Sequence, residues 1–187
     1  DCVQLLLAAN AAIDQATSKG ETPLAVACHK GYGDCVQLLL AANAAIDQAT
    51  SEGTTPLYAA CHDGHGNCVQ LLLAANAAIN LEDDNGATAL TAACHKGYGD
   101  CVQLLLAANA AIDQASKNGG TALAVACIKG YGDCVQLLLA ANAATDQADN
   151  NGVTPLYAAC HNGHGNCVQL LLAANAAIDQ ADNNGGT

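Results

Sequence analysis

The chain has 187 residues, with 17 Asp and Glu against 5 Lys and no Arg, a formal charge of -12; this argues against nucleic acid, whose phosphates are held chiefly by Lys and Arg. Its apolar fraction of 52% is enough for a core, but it is built from Ala, Leu, Val, Ile, Cys and 5 Tyr, with no Phe, Trp or Met. Side chains this small suit closely packed helices in a repeating stack better than one broad globular centre, and the absence of any apolar run of about 18 residues argues against a membrane partner.

In chain order, Asp1 to Ala16 reads as the second half of a unit, and the same text then returns at a fixed step. Cys2, Cys35, Cys68, Cys101, Cys134 and Cys167 are 33 residues apart, and Cys28, Cys61, Cys94, Cys127 and Cys160 keep the same interval. This divides the chain into a half unit 1–16, five whole units 17–49, 50–82, 83–115, 116–148 and 149–181, and a partial unit 182–187. All of them form one domain, read as part of a longer array. A second period of three units lies over the first: Thr55-Pro-Leu-Tyr-Ala-Ala-Cys-His recurs at Thr154, and Leu24-Ala-Val-Ala-Cys recurs at Leu123.

Within a unit, Gly53-Thr-Thr-Pro predicts a turn, with Thr55 as N-cap and Pro56 at the first position of a short helix that ends at Gly64. Asn67, or Asp in the sister units, is expected to cap a second helix over Cys68 to Ala75, and Asn76 to end it in the left-handed conformation. Leu71, Leu72 and Leu73 in succession cover more than one stripe, so this helix must be buried on two sides by neighbouring units. The remainder, Ala77 to Gly86, is polar and turn-rich, and reads as an extended arm and a tight reversal.

A 33-residue period with Gly-x-Thr-Pro-Leu-x-x-Ala, a Gly-His at the helix turn and a Val-x-Leu-Leu-Leu second helix resembles the ankyrin repeat along the whole chain. The resemblance implies an all-α repeat protein, an ankyrin-repeat solenoid of L-shaped helix-turn-helix units. In it, hairpin tips and first helices form a concave surface that binds other proteins. The chain departs from the family where His usually follows Thr-Pro-Leu, which here is Ala25, Tyr58, Thr91, Ala124 or Tyr157. It also has Ala89 and Ala122 in place of Pro, and Asn43, Asn76, Asn109, Asn142 and Asn175 in place of a closing Gly.

Two rows follow the first-helix cysteines and vary while the second helix barely changes: His29, His62, His95, Ile128, His161, and Lys30, Asp63, Lys96, Lys129, Asn162. These are the candidate reading surface, although drift at solvated positions also produces variation. The tips add Asp14, Asp47, Asp113, Asp146 and Asp179, with Glu82, Asp83, Asp84, Asp149 and Asp182 beside them. From these, Asp47, Asp83, Asp84, Asp113 and Asp149 join the rows as candidates, and the acidity favours a basic protein partner.

Catalytic and cofactor signals are weak. Gly31-Tyr-Gly33 lacks the third Gly of a nucleotide loop, Cys28, His29 and Cys35 supply three ligands where structural zinc wants four, and the tip carboxylates lack the spacing of a calcium loop. The chain is therefore read as non-enzymatic, without metal or cofactor. The cysteines leave two settings open: free buried thiols in the cytoplasm or nucleus, or same-unit pairs such as Cys61 with Cys68 oxidised outside the cell. A structural array stacking end to end is the rival to the binding module.

Overall fold

A computed structural model describes residues 12–180. Among them lie ten helices and no strand. They come as five pairs: α1 Pro23–Lys30 with α2 Gly33–Ala41, α3 Pro56–His62 with α4 Gly66–Ala74, and α5 Ala89–Lys96 with α6 Gly99–Ala107. The series ends with α7 Ala122–Lys129 and α8 Gly132–Ala140, then α9 Pro155–His161 and α10 Gly165–Ala173. First helices pack on first helices and second helices on second helices. Helices of seven to nine residues are marginal by themselves, so this stacking is what holds them.

Each first helix begins on a buried threonine. Thr22, Thr55, Thr88, Thr121 and Thr154 are extended, and each accepts the backbone N–H three residues on through its side chain, which satisfies one of the orphan donors of the first turn. Pro occupies the first position of α1, α3 and α9. The helix closes at a glycine with positive φ, as at Gly64 (+77°) and Gly97 (+80°). A side chain there would meet the ring of the next pair as well: a Cβ on Gly64 would lie 2.6 Å from the Tyr98 ring, and one on Gly97 equally close to Tyr131.

The second helix starts differently from the expectation. It begins at Gly66, with His65 flanking it and no side-chain cap, so Asn67 sits inside the first turn rather than at the cap; the sister helices behave alike. The reason is the sharp turn at the preceding glycine. It brings His65 N–H to the Ala60 carbonyl, and the His65 carbonyl then accepts from Val69 and opens the helical ladder one residue early. At the other end Asn76 has φ +62°, and Ala77 N–H and Asn76 N–H return to Leu72 and Leu73, a Schellman closure. Leu72, Leu105, Leu138 and Leu171 are fully buried, while Leu71 and Leu73 are half-buried against the same core, as a helix covered on two sides requires.

The core contains the cysteines as small apolar side chains: Cys61, Cys68, Cys94, Cys101, Cys127 and Cys134 are fully buried. All cysteines among the described residues are free thiols. The neighbouring thiols Cys101 and Cys134, together with burial, hold Cys61 and Cys94 well above the usual thiol range.

Candidate functional site

The tips that follow each second helix are tight reversals joined to one another. In the third, Asp83 N–H donates to Ala87 O and Gly86 N–H to Asp83 O, while the Asp83 carboxylate accepts from Asn85 and Ala87 N–H. Asp149 does the same for Asn151 and Val153. Neighbouring tips are linked through the backbone: Ser51 N–H donates to Lys19 O, Asp84 to Glu52, Lys117 to Asn85 and Asn150 to Asn118. Lys117 Nζ adds a 2.7 Å bond to the Asp84 carbonyl.

The other acidic row has a structural task as well. Asp14 accepts from Ala45 N–H, Asp47 from Ala78, Asn80 from Ala111, Asp113 from Ala144 and Asp146 from Ala177, at 2.8 to 2.9 Å. Asp47, Asp83, Asp113 and Asp149 are thus engaged through their carboxylates, and only Asp84 of the candidate tip residues has its side chain turned outward, with its backbone in the ladder.

On the first helices, His29, Lys30, His95, Lys96, Ile128, Lys129, His161 and Asn162 are exposed, and His62 and Asp63 half-buried. The structure draws three of them together. His29 and His62 both bond to the Asp63 carboxylate through Nδ1, at 2.5 and 2.9 Å. Burial alone would raise the Asp63 pKa, but the bonds from His62 and His29 outweigh it and the net displacement is downward. His95 is also displaced downward, by burial and then by the charges of Lys129, Lys96 and His62. Asn162 turns back to the Ala158 carbonyl.

Tyr58 stacks on His62 with ring centroids 6.2 Å apart, as Tyr157 does on His161. Burial, followed by the influence of Asp83, pushes the Tyr58 hydroxyl up to about 12, so it stays protonated. Sequence reasoning noted Tyr58 only as a departure from the family pattern and passed over Glu52 altogether. Both belong to a groove of about 530 Å³ whose walls include His29, Glu52, Tyr58, His62, Asp63, Asp83 and Asp84. The signal that could have found them was spacing: Glu52 and Asp84 lie 32 residues apart on successive tips, and Tyr58 is one helical turn before His62.

The groove is open, carries four carboxylates and offers a flat aromatic face. It can receive a cationic side chain along the Tyr58 ring. No three or more His, Cys, Asp or Glu among the described residues are placed to share a metal ion, and no helix among them is long and apolar enough to cross a membrane.

A family model described as ankyrin repeats (3 copies) matches residues 1–83, 42–116, 67–149 and 139–187. Among solved structures the chain is similar to the human ASB11 ankyrin repeat domain, with 31% identity and a TM-score of 0.91 over 98% of this chain and 82% of that one. No curated protein sequence matches.

Proposed function

The chain belongs to the ankyrin-repeat family, whose members are generally non-enzymatic protein-interaction modules, and from that premise we propose that it binds a basic protein segment along the concave face made by its first helices and tips. The single solenoid domain is the scaffold, and the two rows from His29 to His161 and from Lys30 to Asn162 set the contacts. The observation that carries the reading is the groove between two successive tips, where Glu52, Asp63, Asp83 and Asp84 surround the Tyr58 and His62 rings. Charge of one sign concentrated in a cleft raises the local concentration of an opposite partner and speeds its arrival. The partner is a protein rather than nucleic acid or membrane, and a cytoplasmic or nuclear setting suits both the family and the free thiols.

Display selection of peptides on the full chain tests this. Selected peptides should be rich in Lys and Arg, and the double substitution Glu52→Lys with Asp84→Lys should weaken their binding by about tenfold or more, the loss of roughly 1.4 kcal/mol. Selection of peptides without basic residues, or unchanged binding by the substituted chain, would remove the groove as the binding site.

A further inference from the structure

In a chain with 17 Asp and Glu against 5 Lys, the face beside the acidic groove leaves two ammonium groups on adjacent helices. Lys96 and Lys129 are the last residues of α5 and α7, first helices that pack directly on one another, and both are exposed. Neither meets a carboxylate: the ion pairs among the described residues are those of Asp63 with His29 and His62. The row to which they belong changes sign along the stack, from Asp63 to Lys96 and Lys129 and then to the neutral Asn162. After burial, the charges of Lys129 and Lys96 also hold His95 below its ordinary range. Each lysine alone is favoured by the dipole at its helix end, but that gives no reason for two adjacent ammonium groups to stand without a counter-charge in so acidic a chain.

We propose that the partner segment is charge-segregated: its basic residues occupy the Tyr58 groove, and acidic residues of the same segment, about three and six positions further along, ion-pair with Lys96 and Lys129. This rests on the reading of the groove as a site for a basic segment. The spacing follows from packed helices lying about 8–10 Å apart while an extended chain advances about 3.3 Å per residue, so about three residues carry it from one repeat to the next. Asp63 and Asp83 already accept hydrogen bonds within the protein, so Glu52 and Asp84 supply the counter-charge to the basic end. A uniformly basic segment reaching α5 and α7 would meet like charge there, and an acidic continuation turns that repulsion into attraction. The change of sign also fixes the register, since a shift by one repeat would set an acidic residue against Asp63.

Fluorescence anisotropy of labelled synthetic peptides on the full chain tests this at about 0.15 M salt. One peptide carries Arg and Lys at one end and Glu at three-residue steps toward the other, a second has the same residues with the charges alternating, and a third is basic throughout. The segregated peptide should bind tightest, by about tenfold over the alternating one. Lys96→Gln with Lys129→Gln, two changes at exposed positions, should weaken the segregated peptide by about tenfold and strengthen the wholly basic one. Glu52→Lys with Asp84→Lys should weaken both. Loss of binding in that second variant with no response to the lysine changes would overturn the acidic half of the partner and leave the groove in place, as would a wholly basic peptide that binds tighter than the segregated one. Binding of none of the three peptides would overturn both readings.

Discussion

Asp63 is a single carboxylate on which two helices depend, since His29 reaches it from α1 and His62 from its own helix. Its pKa in the folded chain lies below the unfolded value of about 3.9. Stability from this group is thus complete above that pH and is lost as the pH falls through the lower folded value. The melting temperature of the parent chain should exceed that of Asp63→Asn at about pH 6, and the gap should shrink at about pH 3; an equal gap at both would show that the two histidines contribute nothing through charge. Asn109 makes a different kind of statement, because φ +61° at this position is a steric demand on the residue itself. Asn109→Ala should lower the unfolding free energy by about 1 kcal/mol and Asn109→Gly should not, in urea titrations. The asparagine closures were legible from the sequence for the same reason: a small polar residue after an apolar helix has few other uses. The role of Asp63 was not, because its partners come from positions 34 residues and 1 residue away, and a row of varied residues gives no sign of which members touch.

At the scale of the element, the threonine-capped first helix was readable because its cap, proline and apolar run are contiguous. The start of the second helix was misread because its cause lies upstream, in the left-handed glycine that swings the His65 or Tyr98 amide back onto the preceding helix. A local rule that favours Asn and Asp as caps has no access to that geometry. The tip aspartates also have a task that composition conceals, since Asp113 fastens the start of the following tip by accepting the Ala144 amide. Asp113→Ala should cost about 1–2 kcal/mol, the price of a partly buried amide left without its acceptor. Hydrogen exchange should show faster exchange at Ala144 and its neighbours, and exchange unchanged there would mean that water replaces the carboxylate at no loss.

For the whole molecule, stability is a sum over neighbours, so position along the stack matters more than the identity of the residue. Leu105 is fully buried on α6, which has described helix pairs on both sides. Leu105→Ala should cost about 2–5 kcal/mol in global unfolding measured by urea titration; a loss below about 1 kcal/mol would mean that the neighbouring pairs close over the cavity. The 33-residue period made the architecture plain from the sequence, because only a repeating interface keeps the same residues buried at the same step. The groove between tips stayed hidden because it is assembled from three copies at once. The hydrogen bonds between tips, Ser51 to Lys19, Asp84 to Glu52, Lys117 to Asn85 and Asn150 to Asn118, join backbone atoms at a common separation of 32 residues. Because they involve no side chain, they place no demand on which copy lies beside which. Unequal crossing-over that inserts or removes a whole number of 33-residue segments therefore produces a gene whose product still closes every such bond, so the array can change length in a single genetic event without acquiring a new interface.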